Sequence, residues 1–330
     1  MNQFDAKRIL QKFSSDWDKT IAEWHRHPFR RDCLAEEDAR LFSIVSTLMP
    51  EPYWGNLLSS SVVVANLNPG GGEEPNWNTP HGRALCWFMD HVKPPKLYSS
   101  FAKKGPVFLS REQLQRKNFG QFGDYAGWKW WNERSQRPQW ANRIVRALSR
   151  GRNVGQAPVA LELCGWHSSG WARNLSRLEA NERQFFLQKV VNPFHAAVRV
   201  SRFRLGLCVG RPWSDLLRTL DSEGKSLFGF RTISDTHCLL DDGSRRNHEM
   251  FEWDDGSRAM VTWQSDRTSE KPDIFLPPDE SFLANEIRFL SGERCFPVVQ
   301  VSKRATIHSA PSSTHLVCSS QKLVPDTDED

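Results

Sequence analysis

Two short stretches of this chain hold side chains whose types and spacing could do chemistry. In the first, Asn66-Leu67-Asn68-Pro69-Gly70-Gly71-Gly72, an apolar run of Val62, Val63 and Val64 stops at an amide, a proline and three glycines. Pro69 fixes one backbone torsion and brings no N–H, while glycine tolerates positive φ and lets a ligand approach the backbone closely. Asn68 stands just past the strand, where its amide can hold a water or a ligand atom, and Asn66 closes the strand itself. No Gly-Lys-Ser/Thr follows and the spacing is not G-x-G-x-x-G, so neither nucleotide-binding loop applies. A sharp turn with no ligand is the plain alternative.

The second stretch, Leu161-Glu162-Leu163-Cys164-Gly165-Trp166-His167-Ser168, sets a carboxylate inside an apolar strand. Alternation along the strand puts Leu161 and Leu163 on one face and Ala160, Glu162 and Cys164 on the other. A carboxylate at a buried strand end is costly unless something specific pairs with it. Either a backbone group or an arginine satisfies Glu162, or the carboxylate reads a ligand. His167 and Ser168 follow in a loop that can face the same cleft, which makes His167 a candidate catalytic residue; a structural loop histidine is the plainer role.

Elements elsewhere must carry these two stretches to one place. Phe4, Ile9, Leu10, Phe13, Trp17, Ile21 and Trp24 recur at helical spacing, so a helix is expected over residues 4–25. A second apolar-periodic stretch covers 36–49 and ends at Pro50. Strands of buried type are expected at 62–66, 157–166 and 204–210. Helices are expected at 82–92, at 140–150, at 178–201 with a break at Pro193, and at 211–220. Residues 229–263 read as a meander of short strands, and 280–292 as a closing helix. Buried strands alternating with helices predict an α/β protein, a mostly parallel sheet with helices on both faces. Ligands of such sheets collect at the carboxyl ends of the strands, where both polar stretches fall. The expected division is an N-terminal helical extension over 1–50, an α/β domain over 51–301, and a Ser-rich disordered tail over 302–330.

Composition narrows the class of protein. The chain has 330 residues, 38% hydrophobic and 25% charged, enough for a globular core. Its 14 Trp against 3 Tyr leave room for stacking surfaces as well as core. Net charge is only +5, yet residues 96–152 hold 13 Lys/Arg against three acids, a local +10 that leaves −5 for the rest. Such an excess suits a polyanion, with a solvated basic surface as the plain alternative. Seven cysteines without a C-x-x-C pair suggest reduced thiols in a cytoplasmic protein and argue against a structural zinc site. No apolar run approaches a membrane span.

Taken together, the motifs resemble the uracil-DNA glycosylase superfamily, in the branch whose first motif reads Gly-Ile-Asn-Pro-Gly. The matching residues are Asn66, Leu67, Asn68, Pro69 and Gly70, and the order of parts agrees over about residues 50–290. The resemblance implies a three-layer α/β/α fold with a mostly parallel central sheet, and residues 51–301 as a glycosylase-like domain with a basic, aromatic-rich insertion at 96–152. It implies that Asn68 positions the hydrolytic water and that Trp77, with Trp87 as second choice, stacks on the extruded base. Glu162 lies where the family places the side chain that bonds the base edge, usually an Asn. Asn66, Gly70 and Gly71 would complete the base site. The loop at 265–269, with Ser265 and Arg267, would wedge into the duplex, while Lys129 and Arg134 of the basic segment would contact phosphates. The chain departs from the family at the second motif: Trp263, Gln264 and Ser265 stand where His-Pro-Ser or Asn-Pro-Ser should follow the last strand. No cofactor or metal is expected, and the partner is DNA, bound by a monomer.

The reader residue bears on substrate. An ionised Glu only accepts hydrogen bonds, whereas an Asn amide donates and accepts. A carboxylate therefore suits the exocyclic amino group of a cytosine-like base and repels uracil O4. In uracil-specific members a bulky Tyr follows the Pro and blocks substituents on C5; here Gly70 opens that wall. The expected activity is hydrolysis of the N-glycosidic bond of a 5-modified cytosine, hydroxymethylated or glucosylated as in phage DNA, by a monofunctional enzyme in antiviral defence. Repair of uracil or a damaged base, and an inactive nucleic-acid-binding module on the same fold, are the alternatives.

Overall fold

The computed structural model describes residues 1–67 apart from 45, 47–49 and 51, together with 136–166, 168–171, 177–239, 245–265, 287 and 290. Helix α1 runs Gln3–Arg26, capped by the Asn2 side chain, which accepts from the Asp5 N–H. Ala6, Leu10, Ile21 and Trp24 are buried on its inner stripe. Phe4, expected on that stripe, is 75% exposed, because at about 100° per residue it points to the side of the helix opposite Ala6. The short helices α2 (Arg31–Leu34) and α3 (Glu36–Ala39) follow. The apolar period expected over 36–49 then gives way to strand β1 (Phe42–Ile44).

Strands β2 (Tyr53–Trp54) and β3 (Val63–Asn66) precede helix α4 (Gln136–Leu148), and β4 (Val159–Glu162) and β5 (Ser168–Trp171) follow it. Helix α5 (Ala180–Phe186) passes through a π-helical turn (Leu187–Val191) into α6 (Asn192–Val200). Pro193 does not break this helix, contrary to expectation. It sits in the first turn of α6, and the wider turn lets the Asn192 N–H reach Leu187 O just before the residue that has no N–H to give. Strand β6 (Leu205–Val209), helix α7 (Arg211–Leu217) and strands β7 (Phe230–Leu239), β8 (Arg245–Trp253) and β9 (Arg258–Ser265) complete the described chain, with Ile287 and Leu290 in helical conformation.

Seven strands form one sheet in the order β2-β4-β3-β6-β9-β8-β7, and β1 pairs with β5 apart from it. The fold is α/β, but the sheet is mixed rather than mostly parallel. The neighbours β4, β3, β6 and β9 are parallel, while β2 joins one edge antiparallel and β7, β8 and β9 pair antiparallel. The short links within the meander permit only antiparallel pairing. Alternation along each strand separates two cores. Val63, Ala65, Leu161, Cys208 and Val261 face α1, α6 and α7. Val62, Val64, Leu207, Val209 and Met260 face α4, Ile287 and Leu290. Helix α1 is built into this body: it packs along α6, and the buried Tyr53 hydroxyl of β2 donates to Ser14 Oγ of α1 at 2.9 Å. Among the described residues no helix is long and apolar enough to cross a membrane.

Candidate functional site

The parallel strands reverse direction of travel at β3. From β3 the chain goes to β4 on one side, then crosses to β6 on the other. The carboxyl ends of the strands flanking such a reversal form a crevice, because the connections leave in opposite directions. Asn66 and Glu162 end β3 and β4 and are register partners there. Both are buried, and the Asn66 side-chain amide donates to Glu162 Oε1 at 2.9 Å. The Asn66 carbonyl accepts from the Trp213 indole at 2.8 Å and from the Leu163 N–H at 3.0 Å, so the backbone is held firmly at the end of β3. Gly210 closes β6 beside it with φ +105°, and a Cβ there would stand 2.9 Å from the Leu67 side chain. Only glycine allows that approach.

The register extends this pair into a row. Ala65 lies opposite Cys208, so Asn66 lies beside Val209; Val209 pairs with Thr262, and Thr262 with His248. One rung of the sheet thus carries Glu162, Asn66, Val209, Thr262 and His248. By strand alternation all five lie on the α4 face, in step with Val64, Met260 and Met250. All are buried, and the Thr262 hydroxyl is without a hydrogen-bond partner among the described residues. At about 4.8 Å per strand, Asn66 and Thr262 stand about 10 Å apart and the whole rung spans about 19 Å. A buried polar rung costs more than a hydrophobic one unless its polar atoms are paired, as Asn66 and Glu162 are, which makes it a candidate site.

No protein-family model, curated protein or solved structure matches the chain.

Of the residues singled out by sequence, Asn66 and Glu162 are brought together. Ser265 is the last residue of β9, paired with Arg245, so the strand takes in the Trp263-Gln264-Ser265 segment and the loop begins after it. Asn68, Gly70, Gly71, Trp77, Trp87, Lys129, Arg134, His167 and Arg267 lie outside the described residues. Thr262 and His248 were missed. Their signal was present: each occupies a position that the period-two pattern, through Met260 and Met250, reserves for the apolar face. The thiols of Cys164 and Cys208 are free and buried, and burial pushes both well above the ordinary thiol range, which makes them inert.

Proposed function

We propose that this protein is a DNA glycosylase on a three-layer α/β/α frame of the uracil-DNA glycosylase type, hydrolysing the N-glycosidic bond of an extruded, 5-modified cytosine-like base. The observation that carries the reading is the Asn66–Glu162 hydrogen bond at the strand reversal. The amide anchors one carboxylate oxygen, fixing the plane in which the group accepts from a base amino group. The turn that leaves Asn66 holds Asn68, which would orient the attacking water. As the glycosidic bond breaks, positive charge develops on the sugar and negative charge on the departing base, so fixed dipoles at the strand ends lower the barrier. The basic segment at 96–152 would neutralise phosphates.

The test is single-turnover incubation with DNA bearing plain, hydroxymethylated or glucosylated cytosine, or uracil, read as alkali-labile abasic sites. Strand scission at a modified cytosine, lost in Asn68→Ala, is the expected result. No released base from any substrate would leave a second reading, a nucleic-acid-binding module without catalysis. That reading is favoured by the course of β9, where Trp263, Gln264 and Ser265 continue the strand in place of a His-Pro-Ser loop.

A further inference from the structure

A cavity of about 510 Å³ lies on the α1 face of the sheet, and Glu162, at the end of β4, borders both it and the polar rung. Its volume is that of a small-molecule site. One wall is a stripe of α1, in which Ile9, Lys12, Phe13, Asp16, Trp17 and Thr20 follow helical spacing. Opposite stand the π-helical turn, with Gln188 and Lys189, and the chain leaving β4, with Gly165 and Trp166. Glu162 and Asp38 complete the lining used here. The π-turn is wider than an α-turn, and such turns recur at functional sites because they set side chains aside from helix packing.

The lining combines rings with acid. Trp17 and Trp166 meet at 6.2 Å between centroids, inclined by 60°. Trp17 lies so close over Gly165 that a Cβ there would stand 2.7 Å from its ring. The Trp166 indole donates to Asp38. Each lysine of the lining is engaged by an acid other than Asp38: Lys12 bonds Asp16, and Lys189 bonds Glu37 at 2.7 Å. Asp16 is thus matched by Lys12, and Asp38 is a lining carboxylate that neither lysine salt-bridges.

We propose that this cavity binds a small organic ammonium ion, its charged nitrogen bonded to Asp38 and its body lying against the ring of Trp17, which the buried Trp166 backs. Aromatic faces attract a cation through the ring quadrupole, and a half-buried carboxylate supplies the directional bond. An anion would meet the Asp38 carboxylate, and a neutral molecule would forfeit the charge. Burial raises the Asp38 carboxyl to about 6, with Lys189 opposing and Glu37 adding to the rise. The other groups facing it are the Trp166 indole and the protonated Cys164 thiol, with Asp16 and Lys12 across the cavity on α1 and Glu162 at the end of β4. Binding is thus present above that value and weakens as the pH falls through it.

Calorimetric titration of the whole chain with benzylamine and with neutral benzyl alcohol, without DNA, tests the proposal. Benzylamine should bind at pH 7.5, bind about tenfold more weakly at pH 5, and lose about ten- to hundredfold in Asp38→Asn. Gln188→Trp, at an exposed rim position, should block binding with thermal unfolding unchanged. Benzyl alcohol binding as tightly as benzylamine overturns the proposal. So does undiminished benzylamine affinity in either variant, or no binding at millimolar concentration to the folded parent.

Discussion

The Asn66–Glu162 pair makes a prediction at the level of single atoms. Glu162→Gln keeps an oxygen that can accept from the Asn66 amide, so the fold should persist, but the acceptor-only edge is lost. On the proposed reading, single-turnover excision of the modified cytosine should fall by about tenfold or more, with urea unfolding little changed. Glu162→Leu removes the partner of a buried amide and should cost about 1–3 kcal/mol of stability. Asp38 behaves in the opposite sense. Its folded value of about 6 lies above its ordinary 3.8, so the native state binds more protons than the unfolded chain between those values. Stability due to this group is therefore greatest below pH 4 and declines as the pH rises to about 6. Asp38→Asn should raise stability at pH 7.5 by about 1–2 kcal/mol, after allowance for its half-exposed position, and should flatten the pH dependence of urea unfolding across that window.

At the scale of elements, the helix α1 is part of the core. Ala6, Leu10, Ile21 and Trp24 are essentially inaccessible, and Tyr53 reaches back to Ser14. A chain lacking residues 1–26 should lose cooperative thermal unfolding, since four buried side chains and a buried hydroxyl lose their partners together. The contact between α1 and the chain after β4 is tight enough to be tested by one methyl group. Gly165→Ala would drive a Cβ to 2.7 Å from the Trp17 ring and 3.0 Å from Pro52 Cα. Because Pro52 is backbone and cannot swing aside, about 1–3 kcal/mol should be lost in denaturant titration.

Across the whole molecule, one ionic cluster ties α6 to the turn between β8 and β9. Asp255 accepts from His195 Nε2 at 3.0 Å and from the Ser257 N–H at 3.0 Å, and Arg199 Nε stands at 3.6 Å. The His195 ring is stacked on Trp253 at 4.3 Å. Burial by itself would raise the Asp255 carboxyl, but the bonds from Ser257 and the charge of His195 hold it at about 2. His195 is held below its usual range by burial, against the pull of Asp255. A depressed acid contributes stability above its unfolded value, and that contribution fades as the pH falls from about 4 toward 2. Asp255→Asn should therefore cost about 2 kcal/mol at pH 7, and the gap from the parent should narrow in urea titrations toward pH 2.

Much of this was legible in local pattern. Helical spacing located α1 and α4, short apolar runs located β3, β4 and β6, and a carboxylate inside an apolar strand singled out Glu162, because each signal is set by neighbours a few residues away. Three-dimensional pairing decided the rest. The expectation of a mostly parallel sheet failed at β2, β7 and β8, whose partners are chosen by connection length and edge position. Pro193 was read as a break, yet a π-turn absorbs it within a continuous helix. That Glu162, Asn66, Thr262 and His248 share one rung follows from register between strands as distant in sequence as Ala65 and Cys208, and no periodicity within a single strand contains it. Residue types and periods are local properties of the chain; which side chains meet is settled only when the strands align.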